Sequence, residues 1–124
     1  MRRDMDLIRQ LLLYFEERDS FALDQEPAIE GYDEREVQYH LLLLAQAEFI
    51  VYEASRSSTN PERLIQVYPF GLSWAGHEFL DAARDEKLWN KAKEKVVDVS
   101  GGLSLSLLQA LLIHTAKKGL GIEN

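Results

Sequence analysis

Apolar residues near the start of the chain recur at i, i+3, i+4 and i+7 spacing: Met5, Ile8, Leu11, Leu12 and Phe15. That period lays them along one face of a helix. Asp4 or Asp6 can cap it, Arg9, Glu16, Glu17 and Arg18 decorate its other side, and Asp19-Ser20 ends it. Residues Phe21 to Gly31 then form a connector punctuated by Pro27 and Gly31, with a candidate short strand at Ala28-Ile29-Glu30. The sharpest local signal follows. Asp33 is an N-cap, Glu36 three places on completes a capping box, and Tyr32 before the cap can close on Val37. Val37, Leu41, Leu44 and Ala45 repeat at helical spacing, so one side of this central helix faces a core.

The helix runs straight into a strand. Ile50 to Ala54 and Leu64 to Tyr68 are rich in β-branched and aromatic residues, and Ser55 to Arg63 between them is a polar turn cluster. This predicts a hairpin with a long tip, closed by Pro69-Phe70-Gly71. Ser73 caps a further helix whose apolar residues are Trp74, Phe79, Leu80 and Ala83, with Asp81, Arg84 and Asp85 outside. Leu88, Trp89, Ala92 and Val96 continue at helical spacing beside Lys87, Lys91, Lys93 and Lys95. Asp85, Glu86 and Glu94 alternate with those lysines, as on a solvated helix laced with i,i+4 pairs. Ser100-Gly101-Gly102 breaks the pattern, and Ser104 opens a last helix. Leu105, Leu107, Leu108, Leu111, Leu112, Ile113 and Ala116 nearly encircle it, while Lys117-Lys118 and Gly119 suit its C-terminal end. A helix this apolar is covered on more than one side, either by the domain or by a second copy of the chain. Residues 1–99 thus read as one domain and 100–124 as a terminal helix, with a homodimer through that helix favoured.

A capped helix, a strand and a polar hairpin in that order suggest the third helix and wing of a winged helix-turn-helix. The expected fold class is α+β, a winged-helix-like domain with a hairpin wing and added C-terminal helices. A helix-turn-helix also needs a positioning helix, for which Ala22 to Glu26 offers barely one turn. The central helix carries Arg35, Tyr39, Leu42 and Gln46 opposite its buried side, with Gln38 and Leu43 at the margins. For duplex DNA the contacting residues would be Arg35, Gln38 and Tyr39 on the helix and Arg56 and Arg63 on the wing. For a protein partner they would be Leu42 and Leu43, together with Leu107 and Leu111 of the tail.

Charge changes the weight of these readings. The chain has 124 residues, 46% of them apolar, and a formal net charge of −7. A DNA-binding domain usually draws affinity from Lys and Arg displacing counterions, so this balance counts against nucleic acid as the default partner. The chain has no cysteine, which removes disulfides and thiolate metal sites and fits a cytoplasmic protein. No basic-then-apolar leader opens it, and runs such as Leu41 to Ala45 fall far short of a membrane span.

Candidate chemistry is sparse. His77-Glu78-Phe79-Leu80-Asp81 resembles a zincin turn but has Asp81 where the second histidine should stand. His40 and His114 lie on apolar helices and read as histidines satisfied by packing and one hydrogen bond. There is no nucleophile elbow, no Gly-rich phosphate loop and no pair of carboxylates in an apolar setting. No catalysis, cofactor or metal is expected.

Several blocks carry a resemblance: Met1 to Arg9, Tyr39 to Leu44, Leu72-Ser73-Trp74-Ala75-Gly76-His77-Glu78-Phe79-Leu80-Asp81, and Trp89-Asn90-Lys91. They resemble a family of small bacterial proteins classed as a domain of unknown function and often found near prophage genes. The resemblance spans nearly the whole chain, and the Gly76 to Asp81 block is its most specific part. It implies a winged-helix-like fold and transfers no catalytic residue. The stretch around Tyr39-His40-Leu41 is also similar to the recognition helix of many winged-helix regulators. Those helices usually end in Gly, whereas this one has Glu48, which leaves open a left-handed turn or a simple strand start at Phe49. Two functions follow: first a DNA-associated regulator of phage or mobile-element type, because the fold so often serves DNA, and as the alternative an interaction or accessory module of the same fold that leaves DNA alone. The position of the arginines relative to carboxylates on the folded surface discriminates them.

Overall fold

Asp4 opens the first helix, α1 (Met5–Glu17), by accepting the backbone N–H groups of Asp6 at 2.9 Å and Leu7 at 3.2 Å. These are two of the donors that a helix start leaves unpaired. The computed structural model describes residues 1–25, 27–100 and 104–121, and the side chains of 98–100 lie outside the description. Within it the second helix, α2 (Glu34–Gln46), has the predicted capping box: Glu36 N–H donates to Asp33 Oδ1 at 2.8 Å, and Asp33 N–H to Glu36 Oε1 at 3.2 Å. A hairpin of β1 (Ile50–Arg56) and β2 (Leu64–Leu72) follows, then α3 (Trp74–Ala83), α4 (Glu86–Ser100) and α5 (Leu105–Gly119). The described residues are therefore α+β, with five helices and a two-stranded antiparallel sheet. They divide into two compact units, Met1–His77 and Glu78–Asn124.

The first unit is built on the predicted stripes. Met5, Ile8, Leu11, Leu12 and Phe15 of α1 are buried, as are Val37, Leu41, Leu44 and Ala45 of α2 and Val67 and Leu72 of β2. Leu7 and Arg9, outside the predicted stripe, are buried too. In the second unit Phe79 and Trp89 meet edge-on with ring centroids 6.2 Å apart, α4 packs on α5, and Leu108 and Leu112 are the buried residues of α5. The apolar spacing there is split between two helices: α3 ends at Ala83, and Asp85 caps α4, its Oδ1 accepting from Leu88 N–H at 3.0 Å. The break expected at Gly101-Gly102 lies outside the described residues. Trp74 departs from expectation. It begins α3 with its side chain 81% exposed.

The connector makes neither a positioning helix nor the strand proposed at Ala28 to Glu30, among its described residues. Pro27 has no N–H to give a ladder, and Ile29 C=O accepts from Tyr32 N–H at 3.2 Å in a turn instead. What ties the connector down is a polar clasp on the edge of β2. Asp24 N–H donates to Pro69 C=O at 2.8 Å, and Arg18 donates to Phe70 C=O at 3.0 Å and Ala22 C=O at 2.8 Å. Asp24 Oδ2 accepts from the Tyr14 hydroxyl at 2.5 Å and faces Arg18 Nε at 3.7 Å. The strands also run longer than their sequence suggested. Pro69 to Gly71 continues β2 because Phe70 is the extra residue of a bulge, between Gly71 opposite Val51 and Pro69 opposite Tyr52.

Burial, the bond to Asp24 and the Asp24 charge all push the Tyr14 phenol above its ordinary value of 10.0, against a smaller opposing effect of Arg18. Burial and the Asp4 carboxylate do the same to Tyr32, whose hydroxyl donates to Asp4 Oδ2 at 3.2 Å. As pH rises, the unfolded chain therefore releases these protons before the folded one does. The stabilisation is whole below pH of about 10 and is lost as pH climbs through the folded values. Alkaline denaturation should begin later in the Tyr14→Phe,Tyr32→Phe double variant relative to its own neutral-pH stability. A pH titration of urea midpoints checks this.

The open question at Glu48 is resolved in favour of the left-handed turn. Glu48 has φ 62° and closes α2 without glycine. Its N–H donates to Ala45 C=O at 3.1 Å, and Phe49 N–H donates to Leu44 C=O at 3.0 Å, the paired bonds of a Schellman ending. Phe49 and Leu44, which that motif brings together, are both buried. A side chain in this region costs about 1 kcal/mol. Glu48→Gly is thus expected to raise stability by about 0.5–1 kcal/mol in urea unfolding, with the hairpin register unchanged.

Candidate helix and hairpin groove

The turn at Glu48 decides where the hairpin goes relative to the outward side of α2. It leaves a groove of about 480 Å³ lined by Leu42, Ala45 and Gln46 of α2, Glu48, Ile50, Tyr52 and Arg56 along β1, Glu62 and Arg63 at the tip, and Leu64 opening β2. Strand alternation explains the β1 set: Ile50, Tyr52 and Arg56 share one face, opposite Leu72, Pro69 and Leu64. The tip is ordered by its own bonds. Ser57 Oγ accepts from the backbone of Thr59 and Asn60 and from Arg63 Nη2 at 3.1 Å, while Arg56 Nη1 donates to Pro61 C=O at 3.2 Å.

Only part of each predicted set meets in this groove. Arg56 and Arg63 line it, but Arg35 is exposed on the first turn of α2 and away from it. Gln38 lies in a second hollow of about 270 Å³, with Pro27, Ala28, Tyr32, Glu34 and Val37. Tyr39 is half-buried, its ring edge-on to His40 at 5.6 Å. Leu42 lines the groove, whereas Leu43 is half-buried outside it. Leu107, 49% exposed, and half-buried Leu111 stand on α5 in the second unit. Tyr52 and Leu64 were not singled out from the sequence. The period-2 alternation that starts at Ile50 is the signal that could have found Tyr52.

The groove is electrostatically mixed. Arg56 and Arg63 share it with Glu48 and Glu62. The unit around it is strongly acidic: residues 1–77 contain 14 Asp and Glu against 7 Arg and no Lys, so this unit carries the whole net charge of −7. The surface exposed in the groove is more polar than apolar, and its two arginines are matched by two glutamates rather than forming a phosphate-binding stripe.

The histidines have different surroundings. His40, 1% exposed, makes two hydrogen bonds rather than the one expected: Nε2 accepts from Asp4 N–H at 2.7 Å, and Nδ1 faces Glu36 C=O at 2.8 Å. The backbone donor at Nε2 fixes the proton on Nδ1. His77, Glu78 and Asp81 are exposed, and the described residues hold no group of three or more metal-ligating side chains. No helix among them is long and apolar enough to cross a membrane.

The family model described as "Hypothetical protein (DUF2513)" matches residues 2–103. A Haemophilus influenzae protein described as "Uncharacterized protein" is 34% identical over 110 residues, which cover 88% of this chain and 90% of that one. No solved structure matches the chain.

Proposed function

Because the chain belongs to the DUF2513 family, whose description names no activity, we propose from the geometry that it is a non-catalytic interaction module. Its helix-plus-hairpin half is read as winged-helix-like without a positioning helix, and it binds a protein partner in the groove between α2 and the hairpin. The observation that carries this is the lining of that groove: half-buried Leu42, Tyr52 and Leu64 beside two arginines and two glutamates. A protein segment with apolar side chains and a few charges matches such a surface. A phosphate backbone would meet Glu48 and Glu62 inside the groove and Glu34 at the start of α2, each of them repulsive.

DNA contact is the second reading, favoured by Arg56 and Arg63 on the hairpin and Gln46 on the helix lining one concavity. In that case the protein acts as a DNA-associated regulator, with the hairpin tip as its wing.

Two measurements test the choice. A photo-crosslinking residue in place of Leu42, in cells of the native host, should give a protein adduct that Arg56→Glu with Arg63→Glu removes. The same probe at exposed Gln10 should give none. Labelled duplex DNA, titrated at two salt concentrations, should show no salt-dependent anisotropy change. Salt-dependent binding weakened by those two arginine substitutions, with no protein adduct, overturns the reading in favour of DNA.

A further inference from the structure

The strand that forms one wall of this groove is an edge. Among the described residues β1 pairs with β2 alone. Phe49 C=O accepts from Ser73 N–H, and Ser57 N–H donates to Arg63 C=O, both at 3.0 Å. The odd-numbered residues between them therefore turn their backbones toward β2, and alternation turns those of Ile50, Tyr52 and Ala54 outward. Among the described residues, nothing pairs with these outward N–H and C=O groups. Unpaired donors and acceptors along an edge are a template for another strand.

We infer that the occupant of the groove is an extended segment of a partner protein, added antiparallel to β1 as a third strand. This rests on the docking reading above and specifies its chemistry. Residues directly opposite each other in a ladder share a face, so the added strand directs alternate side chains into the groove, opposite Tyr52, Ala54 and Arg56. Ala54 is small and leaves room for an apolar residue, and the position opposite Tyr52 takes another. Arg56 and Arg63 outnumber Glu62 at the tip end, so the residue opposite Arg56 is acidic. Read from its N-terminus, the segment is acidic, any, apolar, any, apolar. A helical occupant would leave the edge of β1 unpaired.

A second copy of β1 does not supply this pattern. Two-fold antiparallel pairing matches positions of equal parity, so Glu53 never stands opposite Arg56. Centring the pair on Glu53, the middle of the strand, sets two carboxylates against each other.

The test starts with random decapeptides displayed on phage and selected on the full chain, with the winners synthesised and measured by fluorescence anisotropy. The expected winners carry the acidic, apolar, apolar alternation and bind at least tenfold more weakly to Arg56→Glu and to Leu42→Asp. Arg56 is exposed, so the first variant reports binding even if the second folds poorly. N-methylation of every second peptide amide should cost at least tenfold, while methylation of the intervening amides is tolerated. Winners that keep the dependence on Leu42 or Arg56 but tolerate methylation everywhere, or that repeat apolar residues at i, i+3 and i+4, overturn strand addition and leave the docking reading standing. Winners insensitive to both substitutions overturn both.

Discussion

Gly76→Ala is expected to destabilise the protein by about 3 kcal/mol or more, lowering its melting temperature by roughly 10 °C. The turn at Glu48 and Phe49 is locked to the start of α3: Ser73 N–H donates to Phe49 C=O at 3.0 Å, and Ser73 Oγ to Glu48 C=O at 2.6 Å. Ser73 Oγ also accepts from Gly76 N–H at 3.1 Å and so caps α3. This geometry presses the first turn of α3 onto the backbone of Phe49, and a Cβ at Gly76 would overlap the Phe49 carbonyl. That carbonyl is fixed by its bond to Ser73, so relief requires moving the helix or the strand. Gly119 is the control. A Cβ there meets nothing within 4 Å, so Gly119→Ala should be neutral or slightly stabilising. Urea unfolding of the two variants side by side checks both, and equal midpoints would show that the close approach at Gly76 carries no cost.

His40→Leu is expected to cost about 1–3 kcal/mol, because it leaves the part-buried Asp4 N–H without its partner. The imidazole bridges the start of α1 and the first turn of α2: Nε2 accepts from Asp4 N–H while Nδ1 donates to Glu36 C=O. Asp4 in turn caps α1 and accepts from the Tyr32 hydroxyl. One side chain therefore sets the approach of two helices whose apolar stripes fit many registers. His40→Gln, whose amide oxygen can stand in for Nε2, should cost clearly less than His40→Leu. Hydrogen exchange at the Asp4 amide gives the independent readout, with protection reduced in the leucine variant and largely kept in the glutamine variant. Unchanged protection in both would mean that the bridge does not hold the start of α1.

The central helix was legible because its signals are short-range. The capping box of Asp33 and Glu36 needs residues three apart, and the stripe Val37, Leu41, Leu44, Ala45 needs only the helical period. The hairpin was legible for the same reason. Its ends were not, because the bulge at Phe70 that carries β2 through Pro69 depends on what β1 places opposite. The left-handed turn at Glu48 was left open because propensity favours glycine there, and tertiary bonds from Ser73 together with the burial of Phe49 and Leu44 outweigh that preference. The candidate site was half legible. Arg56, Arg63 and Leu42 were named from the sequence and meet in one groove, but Arg35, Gln38, Tyr39 and Leu43 do not join them. Helical periodicity gives a direction around the helix. It does not say how far along the axis the hairpin reaches.

By itself, the sequence determined the helices α1 and α2 and the hairpin, the buried stripes of those two helices, and that the first 77 residues are acidic. Caps, periods and charges act over a few residues and do not wait for the rest of the chain. The tertiary structure decided the connector, where Arg18, Tyr14 and Asp24 clasp β2 in place of a strand, the pairing of His40 with Asp4 thirty-six residues away, and the close approach of Gly76 to Phe49. It also decided the groove, which exists only because the turn at Glu48 aims the hairpin past the outward side of α2. Contacts between residues distant in sequence are fixed by how the elements pack, and packing is a property of the whole fold rather than of any stretch within it.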